Sequence, residues 1–426
     1  MTPQEAIDYI EQFTWSTTRL GLERTQALLR ALGDPQKKLK FIHVAGSNGK
    51  GSTCAMLAAI AQAAGYRTGL YISPYIQDFC ERMQIDGQNV PGDVLASITE
   101  RVKVIADAME DHPSQFELVT AIAMEYFYEA RCDLVVLEVG MGGALDSTNA
   151  IDAPEVAVIM NIGLEHTEYL GNTLEEIAAT KAGIIKTGCN AVCYDGAPEV
   201  TEVIRADCAK KKVPLRCVNF GRMEPIAETL DGQTFRWDGE EMRVALLGPH
   251  QLHNTATVLE TVEAMRERGW KLPDEAVRAG LAVVKWPARL EVLNRDPLFL
   301  LDGGHNPQCA EALAAAIEKL LPGKKVVFLL GVLADKDYAQ IMDIVMPYAK
   351  KFICLTPFSG RALPARALAE FLRGKGAAAS AYGSDVARGI RAAQKAAGKR
   401  GAVVAFGSLY LAGHIRTVWQ ELQEQA

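Results

Sequence analysis

The residues best suited to chemistry form the run Gly46-Ser47-Asn48-Gly49-Lys50-Gly51-Ser52-Thr53, set between an apolar β-branched stretch and a helical pattern. Glycines let backbone amides approach an anion closely, and the start of a helix adds partial positive charge. Lys50 would neutralise β- and γ-phosphate charge, and Ser52 or Thr53 would reach a magnesium ion held by those phosphates. The run predicts a phosphate cradle for ATP built from Gly46, Ser47, Asn48, Gly49, Lys50, Gly51 and Ser52. Its spacing is not the standard one, because only two residues separate Gly46 from Gly49 and Gly51 stands between Lys50 and Ser52. The competing reading is a flexible Gly-rich turn, and the strand–turn–helix setting favours the cradle.

Three more polar groups follow predicted strands. Glu138 ends the strand 134–139 and precedes Gly140-Met141-Gly142-Gly143, where a carboxylate would hold a metal bridging phosphates. A solvated strand-end acid would occupy the same place. His166 follows the strand 156–162, and Ser73-Pro74 follows the strand 69–72. A lone histidine is more often structural than catalytic. Independent strands deliver such groups to one place only at the carboxyl edge of a shared parallel sheet, so the set together reads as a magnesium–nucleotide site. Further on, Asp302-Gly303-Gly304-His305-Asn306-Pro307 again leads from a strand into a helix. It is either a turn with an Asn-Pro helix start or a second ligand surface, where Asp302 and His305 bind a polar substrate or the nucleotide.

The elements that must position these groups alternate between short apolar runs and helical patterns, the signature of βαβ units. Strands are expected at 41–45, 134–139 and 156–162, a helix at 52–64, and mostly helix over 94–130. Residues 192–248 change character: short segments separated by Asp231-Gly232 and Asp238-Gly239 suggest hairpins and a small appended antiparallel layer. A new series begins after Asp296-Pro297, with strands at 298–301, 325–330, 352–355 and 402–406. The expected class is α/β: residues 1–287 as a P-loop ATPase domain with a mostly parallel sheet, 288–297 as a linker, and 298–426 as a smaller α/β domain.

Composition narrows the function. The chain has 426 residues, 49% hydrophobic and 23% charged, which suits two or three globular domains. Its net charge of −7 argues against nucleic acid and against a polybasic membrane anchor. Nine cysteines, never spaced as Cys-x-x-Cys, indicate neither a disulfide framework nor a zinc ribbon and point to the cytoplasm. The first nine residues carry Glu5 and Asp8 and do not read as a signal peptide. No apolar run reaches the ~18 residues a membrane span needs.

Ordered motifs along nearly the whole chain resemble the bacterial folylpolyglutamate synthase and dihydrofolate synthase family, among the Mur-ligase-like ATP-dependent amide ligases. The motifs are Gly21-Leu22-Glu23-Arg24, AGSNGKGS at 45–52, Ser73-Pro74 with Glu81-Arg82, EVGMGGALDSTN at 138–149, and Lys181-Ala182-Gly183-Ile184. They continue with His250-Gln251-Leu252-His253-Asn254, Arg289-Leu290-Glu291, DGGHNP at 302–307, Asp335-Lys336-Asp337 and Gly407-Ser408-Leu409-Tyr410-Leu411. The resemblance implies a P-loop domain followed by a Rossmann-like domain, and a folate-pathway ligase of one-carbon metabolism. ATP would phosphorylate a folate or dihydropteroate carboxylate, and L-glutamate would attack the acyl phosphate. It implies two magnesium ions, one held by Ser73 and Glu138 and a second with help from His166. Lys50, Glu138, His166 and Lys181 would be the catalytic set, with Lys181 carbamylated to a carboxylate-like group. Asn254, Arg289 and Asp302 would contact ATP, and His305 and Ser408 the incoming glutamate. Gly21, Leu22, Glu23, Arg24, Phe116, Glu117 and Leu145 would bind the pterin-bearing substrate. A monomer is expected.

Tyr75, Glu165 and Thr180 depart from the family's usual His, Asp and Glu. These positions bear on substrate detail and remove no expected phosphate or metal contact. Two other readings compete. A peptidoglycan-type ligase would need an extra N-terminal domain for its UDP group, for which about 45 residues before the cradle are too few. A non-catalytic nucleotide-gated module would leave the second domain and His305 unexplained.

Overall fold

A computed structural model describes residues 1–13, 21–165 and 167–424. The chain divides into two compact units. The first comprises Met1–Glu224, Phe235–Val244 and His253–Val284; the second comprises Pro225–Thr234, Ala245–Leu252 and Lys285–Ala426.

Eight strands form the main sheet of the first unit: β1 Phe41–Ala45, β2 Thr68–Tyr71, β3 Met83–Ile85, β4 Gln88–Asn89, β5 Leu134–Glu138, β6 Val156–Ile159, β7 Asn190–Cys193 and β8 Leu215–Cys217. Their order is β4-β3-β2-β5-β1-β6-β7-β8. The β2–β3 and β3–β4 pairs are antiparallel, and the rest run parallel. β1, β5 and β6 are buried along their whole length, as suits the mostly apolar sequences of strands covered on both faces, with His43 and Glu138 as the exceptions. The helix Lys50–Ala63 buries Cys54, Met56, Leu57 and Ile60 on several faces, because it lies between the sheet and the helix Asp274–Val283.

The expected and observed elements differ where loops do work. The helix begins at Lys50, which brings Lys50, Gly51 and Ser52 into its first turn. β6 ends at Ile159: the Met160 amide still bonds Ala45 O, after which Asn161 turns its carbonyl to the amides of Ser47 and Asn48. The 94–130 stretch is two helices, Gly92–Ala106 and Gln115–Glu129, the second opened by a Ser114–Glu117 capping box.

Between these elements β9 Met223–Thr229, β10 Gly232–Trp237 and β11 Glu240–Val244 form a small antiparallel sheet ordered β11-β10-β9. The second unit is built on β12 Glu291–Arg295, β13 Leu298–Leu301, β14 Val326–Leu330, β15 Ala349–Cys354, β16 Ala379–Ala381 and β17 Ala402–Phe406, ordered β12-β13-β17-β14-β15-β16. Only β12 runs antiparallel. It lies inside the segment expected to link the domains and returns on β13 through Asp296-Pro297. Leu300, Phe328, Leu330, Val404 and Phe406 anchor this unit's core. Among the described residues no helix is long and apolar enough to cross a membrane.

Candidate active site

Parallel register sets the site in the first unit. Val44 faces Glu138 across β1 and β5, Ala45 faces Ile159, and Tyr71 faces Leu137, so the residues after β1, β2, β5 and β6 emerge at one edge. There the Ser73 amide donates to Glu138 Oε2 at 3.0 Å. Two groups from different strands, predicted to share a metal, are thus brought together.

The glycine-rich run leaves β1 and is tied down on its far side. Asn161 O accepts from the amides of Ser47 (2.8 Å) and Asn48 (3.4 Å), and the Ser47 hydroxyl is bonded to the backbone of Gly163 at 3.0 Å. Gly49 has φ +85°, and a side chain there would meet Asn254 Oδ1 at 2.5 Å. Only glycine fits, and Asn254 consequently lies directly over the cradle. The N-cap of the helix that begins at Lys50 is Gly49, which has no side chain to cap it, and the positive end of that helix suits an anion. Lys50 Nζ folds back onto Gly46 O (2.8 Å) and Ser47 O (3.2 Å). The Thr53 hydroxyl donates to Met160 Sδ at 3.4 Å, while Ser52 is buried in the helix's first turn.

Lys181 closes the other side of the loop. Its side chain is 2% exposed, and Nζ donates to Gly46 O and to Glu165 Oε1, each at 3.0 Å. Burial, followed by the Lys50 ammonium, lowers its pKa to about 8, against the opposing pull of Glu165. A substantial neutral fraction therefore exists near neutral pH. His166 lies outside the described residues.

Phe116 and Leu145 flank the turn after β5. The Phe116 ring lies so close to Gly140 that a side chain there would meet Phe116 Cζ at 2.4 Å, and Leu145 is 50% exposed. Together they offer apolar contact for a flat ring system. Gly21 and Leu22 lead into the helix Glu23–Ala31. Arg24 and Glu117 have an internal role: Arg24 Nε donates to Glu117 Oε1 (3.1 Å) and Oε2 (3.0 Å), while Ser114 N also donates to Glu117 at 2.7 Å. Truncating one partner of a buried pair strands the other charge. Arg24→Leu is expected to cost about 3 kcal/mol of stability, read as a lower urea midpoint. An unchanged midpoint would remove the pair from the fold's framework.

In the second unit, Asp302 bridges two loops, accepting from Leu290 N (2.9 Å) through Oδ2 and from Gly304 N (2.8 Å) through Oδ1. Arg289 stands between Ala288 and Leu290, both in the left-handed region at φ 53° and 48°. His305 is half-buried, with Nδ1 at 3.2 Å from Gly303 O. Ser408 is buried just after β17, and its Oγ has no hydrogen-bond partner among the described residues. A buried hydroxyl without a partner suits a polar ligand.

Among the described residues no group of three or more His, Cys, Asp or Glu side chains is arranged to hold a metal. Glu138, Ser73 and Ser52 still fit magnesium, which commonly takes one or two carboxylates and completes its shell with phosphate oxygens and water. The sequence singled out no role for Asn161, whose carbonyl anchors the loop, or for Asp146, which accepts from the Met141 amide at 2.8 Å. Asn161 lies just beyond β6, the kind of position that exposed Ser73, and Asp146 caps the turn Ser147–Asn149 eight residues after β5.

Comparison with known proteins agrees with this geometry. Residues 44–262 match the Mur ligase middle domain, and residues 288–409 match the Mur ligase, glutamate ligase domain. Folylpolyglutamate synthase of Lacticaseibacillus casei is 34% identical over 85% of this chain and 88% of its own length. The chain belongs to the folylpolyglutamate and dihydrofolate synthase family. Two solved synthases share its fold closely. The Mycobacterium tuberculosis folylpolyglutamate synthase complexed with ADP and AMPPCP has a TM-score of 0.88 and 32% identity, covering 98% of this chain and 99% of that one. The bifunctional folylpolyglutamate synthase/dihydrofolate synthase from Yersinia pestis, complexed with AMPPNP and Mn ion, has a TM-score of 0.85 and 30% identity, covering 99% and 98%. The nucleotide-bearing synthases thus share the overall fold of this chain.

Proposed function

We propose that this ATP-dependent ligase joins L-glutamate to the carboxylate of a reduced folate or of dihydropteroate. The carrying observation is the cradle between β1 and the helix Lys50–Ala63, with Glu138 and Ser73 bonded at the same sheet edge. A carboxylate is a poor electrophile until one of its oxygens becomes part of a phosphate leaving group. Its oxygen attacks the γ-phosphorus and ADP departs; the glutamate nitrogen then attacks the acyl carbon, and phosphate leaves with the C–O bond electrons. The protein's task is positioning and charge neutralisation. The loop backbone and Lys50 hold the phosphates, while Glu138, Ser73 and Ser52 would hold magnesium, which neutralises phosphate charge when bound. A second magnesium, with His166 contributing, belongs to the same reading.

Lys181 is proposed to act as a carbamate. A neutral amine adds to carbon dioxide, and a lysine whose pKa falls to about 8 supplies that amine at physiological pH. The product changes +1 to −1 and adds oxygen donors suited to magnesium. Phe116 and Leu145 would take the pterin, assisted by the 21–24 segment and Glu117. Asn254, Arg289 and Asp302 are proposed nucleotide contacts, and His305 and Ser408 proposed glutamate contacts. In this division residues 1–287 serve ATP and folate, and 298–426 serve glutamate while lending Asp302 to the nucleotide; the segment 288–297, expected to connect them, carries Arg289 and the strand β12, in a monomeric cytoplasmic enzyme.

The test offers dihydropteroate and tetrahydrofolate separately, each with ATP, magnesium and L-glutamate. Glutamate-dependent ADP release with a glutamylated product from at least one acceptor is expected; ADP release indifferent to glutamate would overturn the reading. His305→Ala should raise the KM for glutamate about tenfold or more with less than threefold change for ATP, as loss of a charge-assisted hydrogen bond predicts. Equal effects on both substrates would reassign His305 to the nucleotide.

A further inference from the structure

His43 sits in β1, three residues before Gly46, with its imidazole fully buried. Its Nε2 lies 2.9 Å from the Thr148 hydroxyl, and that hydroxyl lies 2.5 Å from Asp146 Oδ1. A threonine has one hydroxyl proton, and a carboxylate can only accept. Burial raises the Asp146 pKa, but its hydrogen bonds from Thr148 and the backbone favour the ionised form; with Asp146 ionised Thr148 donates to it, and Nε2 carries the imidazole proton and donates to Thr148. Burial and the Lys186 cation keep the ring neutral, lowering its pKa to about 3. The direction of donation is fixed from β1 toward Asp146.

Asp146 passes the constraint on. Besides the threonine it accepts from the amides of Met141 (2.8 Å), Thr148 (3.0 Å) and Gly140. It thereby sets the course of the turn that leaves β5 just after Glu138. That turn forms the floor under Lys181. The Ala144 amide donates to Thr180 O at 2.9 Å, and a side chain at Gly143 would meet Lys181 O at 2.7 Å and Lys181 Cα at 2.9 Å. Lys181 Nζ then reaches Gly46 O, the end of the same strand from which His43 projects. The contacts close a ring: His43, Thr148, Asp146, the 140–144 turn, Lys181, Gly46 and back along β1.

We propose that His43 and Thr148 are positioning residues for the ligase reaction, a buried relay that through Asp146 and the glycine turn fixes Lys181 against the phosphate loop. The proposal rests on Lys181 acting at the nucleotide, as in the function proposed above. Close-packed interiors transmit such constraints because the turn has no slack: at Gly143 there is no room for even a Cβ beside the Thr180–Lys181 backbone. A purely structural His–Thr contact would stabilise the sheet without caring whether Thr148 donates onward.

Four variants of the full chain separate the cases. Thr148→Val keeps the shape and loses the hydroxyl, and Thr148→Ser keeps the hydroxyl. His43→Leu loses the donor, and His43→Gln keeps an N–H near the Nε2 position. Thr148→Val is expected to lower kcat at least tenfold while ADP affinity, measured by calorimetry, stays within threefold of wild type. Thr148→Ser is expected to recover kcat to within threefold, and His43→Gln to exceed His43→Leu at least fivefold. A kcat within twofold of wild type in Thr148→Val overturns the proposal, as does a parallel fall of kcat and ADP affinity that serine does not rescue. Should Thr148→Val fail to fold, the histidine pair decides: equal kcat in His43→Gln and His43→Leu overturns the relay. A wild-type chain lacking glutamate-dependent ADP release defeats the functional reading instead, whereas wild-type turnover indifferent to these variants defeats the relay alone.

Discussion

Lys50→Ala is expected to lose at least ~10²-fold in turnover while keeping its fold, because negative charge shifts among the phosphate oxygens as the γ-phosphoryl group transfers and Lys50 is the cation within the cradle. Its ammonium bonds the carbonyls of Gly46 and Ser47, backbone groups of its own loop. Their loss leaves the sheet intact, and the loop remains anchored by Asn161 O. A melting temperature within a few degrees of wild type should accompany the loss of rate. A variant retaining more than about a tenth of the wild-type kcat would contradict the phosphate-clamp role. Lys50 is also the second cause of the lowered pKa of Lys181, so its removal should raise that pKa.

Lys181→Met should abolish turnover and stabilise the protein. In carbon-dioxide-free buffer the wild-type lysine is a buried cation whose pKa falls from 10.5 to about 8. Its charged form therefore costs about 3 kcal/mol at neutral pH relative to an exposed lysine. Methionine fills similar volume without that cost, Gly46 O keeps its bond from Lys50, and Glu165 is open enough to be hydrated. A net gain of about 1–3 kcal/mol follows. The sign with pH is fixed. Between about pH 8 and 10.5 the folded lysine has lost its proton while the unfolded one keeps it, so wild-type stability rises with pH across that window. The advantage of the methionine variant is largest below pH 8 and shrinks toward pH 10.5. Urea midpoints of both proteins at pH 7 and pH 10 measure it; a wild type more stable at pH 7, with a pH-independent gap, would defeat the account. Added bicarbonate should not restore activity to the variant. In Lys181→Ala, where space is vacated, a short carboxylic acid should restore part of it.

Much of this protein was legible in the sequence because its informative elements are local. β1, β13 and β17 begin and end where their apolar runs do, since strands buried on both faces need unbroken apolar sequence and glycine or polar residues end them. The cradle was legible for a related reason: glycines, a lysine and hydroxyls must be contiguous to wrap one phosphate group, so the chemistry is written in a single stretch. The strand-end rule then located Glu138 and Ser73, and parallel register brought them to 3.0 Å.

Long-range contacts had no such signature. The sequence marked Arg24 and Glu117 as substrate contacts through resemblance, while the fold pairs them with each other across 93 positions. His43 looked like one residue of an apolar strand, yet it reaches Thr148, 105 positions away, and only that contact fixes its tautomer. The resemblance marked Lys181 as a catalytic residue, but its environment had no local signature; the tertiary structure buries it against Gly46 O and thereby lowers its pKa. Sequence by itself determined the glycine-rich loop set between a strand and a helix, because backbone conformation and contiguous charge are local properties. Desolvation, tautomer and ion pairing depend on neighbours brought from distant strands, so the tertiary structure alone decided them.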